Sequence, residues 1–273
     1  MGVLPLSVTA QRPPQTEAIA VIHHAVECGV TLFDTADSYC LDDTEMGHNE
    51  RVLGAALAQL SNSLRQRLTI ATKGGLIRPG GRWERDGRPQ HLRRRCEQSL
   101  KNLRVERIDL YQYHAPDEKV PLRDSIDELR RLREEGKVEH LGVSNFSVPQ
   151  LDLAQQTVEI ISIQNQYSPG CREPEKDGTL ADSQQRGLAF LPWSPLGGSG
   201  RAKHVGQNRS TLQAIASDHH ASVQQVVLAW LLSKGPMVFP IPGASQKATI
   251  EDSAKAAELE LSPQELRRLE AAW

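Results

Sequence analysis

Three short apolar, β-prone stretches constrain the fold most, because each delivers a chemically reactive side chain at its end: Asp34, Lys73 and His114. The intervals between these residues, 39 and 41 positions, each fit one strand–helix unit with a generous loop. If the strands are neighbours in one parallel sheet, their ends meet at its carboxyl edge, where such folds place their chemistry. Tyr39, in the loop after Asp34, then lies at the same edge. The spacing therefore predicts that these four side chains converge.

The rest of the chain continues the alternation of strand and helix, judged from hydrophobic period and from the placing of Gly and Pro. The predicted strands cover residues 2–7, 30–33, 68–72, 108–113, 138–143, 160–164, 188–192 and 237–241. The predicted helices cover residues 16–28, 49–60, 91–103, 121–135, 147–157, 179–186, 210–219, 222–233, 247–257 and 262–272.

Eight such units favour an α/β fold of the closed (β/α)8 TIM-barrel type over an open doubly wound sheet. The 273 residues suit a barrel, which typically has about 250. An open sheet also predicts a G-x-G-x-x-G turn after an early strand, and none occurs there. We therefore expect one barrel domain over residues 1–273, with a long connection at residues 74–90 that is either functional or disordered.

Composition argues against several classes of function. The formal net charge of −2 provides no basic field for nucleic acid or an anionic membrane, and no run approaches the roughly 18 apolar residues of a membrane span. Residues 1–15 show no charged segment followed by an apolar core, so no secretory signal is expected. The four cysteines are widely spaced, which predicts free thiols in a cytoplasmic protein and no metal site.

The four converging side chains suit the protonation of a carbonyl oxygen. A lysine in an apolar barrel is costly to bury unless it is paired, and Asp34 is the partner that keeps Lys73 charged. A phenol beside an ammonium has its phenolate favoured, so we expect the pKa of Tyr39 to fall from about 10 toward the working pH. Tyr39 then serves as a general acid while His114 orients the carbonyl. Because an acid alone reduces nothing, a hydride donor is required.

Eight segments, in order along the chain, resemble the signature segments of the aldo-keto reductases. They are residues 33–39 (FDTADSY), 70–73 (IATK), 109–114 (DLYQYH), 136–138 (GKV), 142–146 (GVSNF), 163–168 (IQNQYS), 193–197 (WSPLG) and 241–245 (IPGAS). Any one segment is weak evidence, whereas their joint order over roughly residues 4–259 is specific.

This resemblance implies a barrel that binds NADPH in an extended form and reduces the carbonyl group of a small-molecule substrate. By motif position, Tyr39 is the proton donor, Lys73 and Asp34 lower its pKa, and His114 orients the substrate. The residues implied for the cofactor fall into three groups. Ser144, Asn145, Gln164 and Trp193 would hold the nicotinamide; Ser194, Pro195, Leu196 and Gly198 the pyrophosphate; Gly243, Ala244, Ser245, Lys247 and Asp252 the adenosine end.

The sequence departs from that family's pattern in several places. It lacks the N-terminal β-hairpin that commonly plugs the barrel floor, and the acidic loop 40–48 follows Tyr39 where glycine is frequent. Thr249 and Ser253 stand where an arginine and an asparagine are typical, so NADH is the alternative to NADP as cofactor. We expect an open substrate pocket formed by Trp83, loop 40–48 and the C-terminal tail.

Three functions are compatible with these residues. The first is an NAD(P)H-dependent reductase of aldehydes or ketones, acting as a monomer or a homo-oligomer. The second is a catalytically slow, nucleotide-binding regulatory protein of the same fold, like the reductase-like potassium-channel β subunits. The third is an aldolase that uses Lys73 as a Schiff-base nucleophile, which Asp34 disfavours because it keeps the lysine charged.

Overall fold

The structure, a computed structural model, describes residues 1–198 and 200–273. Its strands are β1 (Leu32–Asp34), β2 (Thr69–Gly74), β3 (Leu76–Ile77), β4 (Glu84–Arg85), β5 (Ile108–Tyr113), β6 (Val138–Ser144), β7 (Ser162–Gln164) and β8 (Ala189–Phe190). Its α-helices are α1 (Gln15–Glu27), α2 (His48–Leu57), α3 (Asn62–Arg65), α4 (Pro89–Leu103), α5 (Leu122–Glu134), α6 (Val148–Gln155), α7 (Glu173–Lys176), α8 (Thr179–Gln185), α9 (Ser210–Asp218), α10 (Val223–Leu232), α11 (Lys247–Lys255) and α12 (Pro263–Glu270).

A six-stranded parallel sheet, in the order β1–β2–β5–β6–β7–β8, forms most of the barrel wall. Two irregular segments close it. Gly2 bridges Asp34 on one side and Gly243 on the other, while Phe190 of β8 bridges Val238. These two segments occupy the seventh and eighth places around the ring, which confirms the predicted (β/α)8 barrel.

The predicted first and last strands are wrong as regular strands. Leu4–Leu6 forms a 3-10 helix, and the segment 237–241 makes a single isolated bridge to β8. Proline is the physical reason, because Pro5 and Pro192 have no backbone N–H to donate to a ladder. The six remaining strands and the predicted helices are present with shifted ends, and β5 has the predicted bounds.

Helix α1 illustrates how an amphipathic helix packs its apolar stripe inward. In α1 the buried residues are Ala18, Val21, Ile22 and Ala25, at the spacing of one helix face. Burying a side chain such as Ile22 stabilises the fold by about 1.5–3 kcal/mol. None of the helices in residues 1–198 and 200–273 is long and apolar enough to cross a membrane.

The long connection after β2 is ordered and lies over the carboxyl edge of the barrel. It contains a two-stranded antiparallel hairpin, in which Leu76 pairs with Arg85 and Ile77 with Glu84. Trp83 precedes β4 in this hairpin and is 47% exposed. This segment was expected to be functional or disordered, and its order places a large aromatic side chain beside the strand ends.

Candidate active site

The ends of β1 and β2 bring three of the predicted residues into direct contact. Lys73 is fully buried, and its Nζ donates hydrogen bonds to Asp34 Oδ1 at 2.6 Å, to Tyr39 Oη at 2.9 Å and to the carbonyl oxygen of Thr35 at 2.9 Å. All three ammonium protons therefore have acceptors. A buried lysine without such partners would be costly, so this arrangement is what allows the cation to stay inside the barrel.

The second carboxylate oxygen of Asp34 is held by two amides that come from more distant strands. Oδ2 accepts from Gln164 Nε2 at 2.8 Å and from Gln112 Nε2 at 3.2 Å. Gln164 was predicted as a cofactor ligand, whereas Gln112 was missed. A signal was available, because Gln112 lies in β5 two residues before His114, which directly follows that strand, and so faces the same side of the sheet.

The rings of Tyr39, Trp83 and His114 form a cluster at the cavity surface. The Tyr39 and His114 centroids are 5.7 Å apart, Tyr39 and Trp83 are 6.3 Å apart, and Trp83 and His114 are 6.5 Å apart, each pair edge-to-face. This is the favoured geometry for aromatic pairs. Ser38 Oγ lies 3.4 Å from His114 Nδ1, which leaves Nε2 free of that contact.

Burial is the largest single influence on the pKa of each of these groups, although it does not always set the direction of the net shift. It lowers the pKa of Lys73, but the charge of Asp34 and the bonds to Asp34 and Tyr39 outweigh it, so the pKa lies above its usual value. Burial raises the pKa of Tyr39 above 10 despite the attraction of Lys73. The expected lowering of that pKa is therefore wrong in direction. Burial and the charge of Lys73 hold the pKa of His114 well below 6.5, so the imidazole is neutral at pH 7.

Asn145 links the catalytic end of the site to Trp193. Its Nδ2 donates to the carbonyl oxygen of His114 at 2.9 Å and to Ser144 Oγ at 3.2 Å, and its Oδ1 accepts from Trp193 Nε1 at 3.2 Å. The residue has φ of 60°, a left-handed conformation that asparagine tolerates better than most residues. The bend after β6 thus aims one amide at both neighbours.

One cavity of about 430 Å³ runs along this edge of the barrel. Of the residues predicted from sequence, it is lined by Asp34, Tyr39, His114, Ser144, Asn145, Gln164, Trp193, Ser194, Pro195, Leu196, Gly198 and Gly243, with Lys73 directly beneath. Its lining also includes Gly2, Leu4, Pro5, Leu76, Trp83, Ala202, Ile241 and Pro242. Among these, Trp83 was the one expected from sequence.

Of the residues predicted for the adenosine end, Gly243 lines the cavity, whereas Ala244, Ser245, Lys247 and Asp252 lie outside its lining. Ala244 is buried, and Ser245 and Lys247 are exposed at the start of α11. Asp252 accepts hydrogen bonds from Ser222 Oγ at 2.8 Å and Gln225 Nε2 at 2.7 Å, so it joins α11 to the start of α10.

Two of the three segments expected to form the substrate pocket do not line it. Within residues 1–198 and 200–273, neither loop 40–48 nor the C-terminal tail contributes to the cavity. The tail packs elsewhere, because Trp273 lies against Trp230 with ring centroids 5.7 Å apart. That expectation is therefore wrong except for Trp83.

The fold and the site together define a parallel α/β barrel with a buried lysine–tyrosine–aspartate group and a histidine at its carboxyl edge. The family model described as the Aldo/keto reductase family matches residues 1–273. The chain belongs to this family.

Individual relatives agree with that assignment. An uncharacterized oxidoreductase of Schizosaccharomyces pombe is 35% identical over 260 residues, which are 94% of this chain and 80% of the relative. The thermostable aldo-keto reductase Tm1743, solved in complex with the inhibitor epalrestat, is similar with a TM-score of 0.85 and 29% identity, over 100% of this chain and 94% of that one. An aldo-keto reductase from Klebsiella pneumoniae in complex with NADPH has a TM-score of 0.82 and 25% identity, over 99% and 89%.

Proposed function

We propose that this protein is an NADPH-dependent oxidoreductase that reduces an aldehyde or ketone to an alcohol, with Tyr39 as the proton donor. The observation that carries the proposal is the bond of 2.9 Å from Lys73 Nζ to Tyr39 Oη at the floor of the cavity. Family membership and the NADPH complex of the Klebsiella pneumoniae relative support the choice of reaction and cofactor.

The raised pKa of Tyr39 suits the role of an acid. At neutral pH the phenol carries its proton, so it is ready to donate as soon as negative charge develops on a bound carbonyl oxygen. Lys73 stabilises the phenolate that remains, and Asp34 holds Lys73 charged and in place. The attraction of Lys73 matters most after the proton has left, when it offsets the cost of a buried anion.

His114 is neutral, so it contributes a hydrogen bond without a competing positive charge. Its Nδ1 faces Ser38 Oγ at 3.4 Å, and a serine hydroxyl that donates to Nδ1 is compatible with the tautomer that carries its proton on Nε2. We infer that Nε2–H orients the carbonyl oxygen toward Tyr39. Asn145 fixes the backbone of His114, because its Nδ2 donates to the backbone carbonyl oxygen of His114 at 2.9 Å.

The residues along the cavity fit an extended nicotinamide cofactor. The indole of Trp193 is held by Asn145 and offers a flat apolar face, while Ser144, Asn145 and Gln164 present hydroxyl and amide groups suited to a carboxamide. Gly197 and Gly198 have φ of 84° and 91°, a turn open to close approach by a pyrophosphate. NADPH, when bound, supplies the hydride.

The adenosine end sets the choice between NADPH and NADH. We infer that Gly243, Ala244, Ser245 and Lys247 lie around it, because Gly243 lines the end of the cavity and the next residues continue from it. The exposed ammonium of Lys247 is the group suited to a 2′-phosphate, which favours NADPH. Asp252 would act there through α11 rather than by contact, since its oxygens are bonded to Ser222 and Gln225.

The test is to follow NADPH and NADH consumption with a panel of aldehydes, comparing the wild type with Tyr39→Phe. Loss of a general acid should lower kcat by about 100-fold or more, while NADPH binding, followed by fluorescence, is retained. Tyr167→Phe is a matched control, because it removes a phenol hydroxyl bonded to Glu175, outside the cavity lining.

Each outcome separates one alternative. Turnover that survives Tyr39→Phe would contradict the proposed acid. Tight NADPH binding without turnover on any aldehyde would favour the regulatory function. The aldolase is disfavoured because Lys73, with its raised pKa and three acceptors, is a protonated ammonium rather than a free amine nucleophile.

A further inference from the structure

The β3–β4 hairpin contains a buried arginine that takes no part in the chemistry proposed above. Arg78 is 6% exposed. Its Nη2 donates to the carbonyl oxygens of Leu41 at 3.0 Å and Gly81 at 2.8 Å. Its Nε and Nη1 are buried and find no hydrogen-bond acceptor within the described part of the chain. A buried guanidinium with two donor nitrogens that lack acceptors lowers the stability of the fold, so another interaction must compensate.

That interaction is with Trp83. The guanidinium carbon of Arg78 lies 3.8 Å from the centroid of the indole ring. A planar guanidinium over an aromatic face is attracted by the negative charge density of the ring and stacks on it. One face of Trp83 is therefore fixed by Arg78, although 47% of the side chain is exposed.

Arg78 connects this indole to the body of the barrel. Its bond to Leu41 ties the hairpin to loop 40–48, and that loop is itself anchored, because Arg12 pairs with Glu45 through two bonds of 2.7 and 2.8 Å. Its bond to Gly81 closes the hairpin turn. An exposed tryptophan on a short hairpin would otherwise sample several rotamers.

Trp83 stands at the reacting end of the cavity. Its ring lies 6.3 Å from Tyr39 and 6.5 Å from His114, and it lines the cavity together with Leu76. The one charged side chain in the described lining is Asp34, whose oxygens are already bonded to Lys73, Gln112 and Gln164. Within the described lining, a substrate group beside Trp83 thus meets flat apolar surface and no free charge.

We propose that Arg78 is a positioning residue that holds Trp83 as a wall of the substrate subsite, and that this wall selects uncharged carbonyl compounds bearing a flat apolar group. The inference rests on the proposed function for the identity of the reacting group. The stacking of Arg78 on Trp83, and of Trp83 on a flat ligand, is called the clamp below. It is a binding property that can be measured without turnover.

The experiment compares a flat ligand with a small one in the NADPH-containing protein, in which a bound alcohol finds no hydride acceptor and does not react. Dissociation constants for benzyl alcohol and 1-propanol are measured by calorimetry, and kcat and KM for benzaldehyde and propanal are measured in parallel. Trp83→Ala should lower the preference for the flat ligand by about 10-fold, from the energies typical of aromatic pairs. Arg78→Met keeps the aliphatic volume and should lower it by about 3- to 10-fold, mainly through KM.

Two further variants make the test specific. If Arg78 acts through Trp83, the double variant Arg78→Met/Trp83→Ala should show the preference of Trp83→Ala alone, because the second change removes nothing more. Trp83→Phe should restore most of the preference. Arg82→Met is the matched control, since Arg82 lies on the same hairpin, its side chain is 71% exposed and it pairs with Glu84; its ligand preference should equal that of the wild type.

The outcomes separate the clamp from the proposed function. An unchanged binding preference in both Trp83→Ala and Arg78→Met would overturn the inference, and so would additive losses in the double variant. A wild type that reduces no aldehyde would refute the proposed function, while the binding preference would still decide the clamp. If Arg78→Met does not fold, Arg78→Lys is expected to weaken the preference for the flat ligand, because an ammonium does not stack as a guanidinium does.

Discussion

Lys73 and Asp34 form a buried ion pair. The structure allows the loss of stability on breaking this pair to be worked out. Lys73→Met preserves the length of the side chain but deletes all three donated hydrogen bonds. Asp34 Oδ1 then loses its donor, while Oδ2 keeps the amides of Gln112 and Gln164. Breaking a buried pair from one side costs about 3–5 kcal/mol. Because two amides still solvate the carboxylate, we expect a loss of about 3 kcal/mol in the free energy of unfolding, at the low end of that range.

The opposite single change should cost a similar amount. In Asp34→Asn, Lys73 keeps the Thr35 carbonyl and the Tyr39 hydroxyl as acceptors but loses the anion, so we again expect about 3 kcal/mol. The double variant Asp34→Asn/Lys73→Met contains no unpaired charge. It should therefore be no less stable than either single variant, which corresponds to a coupling of about 3 kcal/mol between the two positions.

Urea unfolding at pH 7, followed by circular dichroism and extrapolated linearly, measures all four proteins. Lys119→Met serves as the control, because Lys119 is exposed and its loss should change stability by less than about 0.5 kcal/mol. Additive losses of about 6 kcal/mol in the double variant would refute the reasoning. Such additivity would mean that each charge is stabilised independently of the other.

Two further predictions concern residues beside the site. Burial, together with Arg94, Arg95 and Arg88, lowers the pKa of His91 to about 4 although Asp86 opposes this; below pH 6.5 the unfolded chain therefore takes up a proton that the folded protein does not, and stability should fall by up to about 3 kcal/mol as the pH drops from 7 to 4. His91→Gln should remove this part of the slope in urea unfolding at several pH values, and identical slopes for variant and wild type would contradict the assignment. Gly142→Ala would place a Cβ 2.2 Å from Ser162 Oγ and should destabilise the protein by about 1–3 kcal/mol. Gly170→Ala, whose Cβ has no neighbour closer than 4.0 Å, should leave the melting temperature nearly unchanged, and equal shifts for the two variants would show that the barrel interior can adjust.

The elements that sequence could predict are those defined by local pattern. Strand β5 has its predicted bounds because its six residues form a short β-prone segment with polar residues on either side. The conformation of the two segments that close the barrel could not be predicted from local pattern. Whether residues near Val238 form a ladder or one bridge depends on how the last segment meets β8, and the nearby prolines limit the bonds it can make.

The candidate site likewise contains residues that local sequence pattern predicted and one that it did not. Asp34, Tyr39, Lys73 and His114 were identified from their places at strand ends, and the structure brings them together. Gln112 was missed because its partner Asp34 is 78 positions away in the chain. The position of Gln112 two residues before His114 predicted the face on which it lies, but its hydrogen bond to Asp34 depends on the tertiary structure.

Sequence by itself determined which reactive groups this protein has and the alternation of strand and helix that sets them about 40 residues apart, because both depend on residue type and short-range period. Tertiary structure alone decided how strongly those groups are buried and what touches them. That is why the pKa of Tyr39 rises rather than falls: desolvation depends on the whole barrel, whereas the charge of Lys73 could be inferred from the chain. It is also why Trp83, and not the C-terminal tail, forms the pocket wall, since that contact depends on where Arg78 packs.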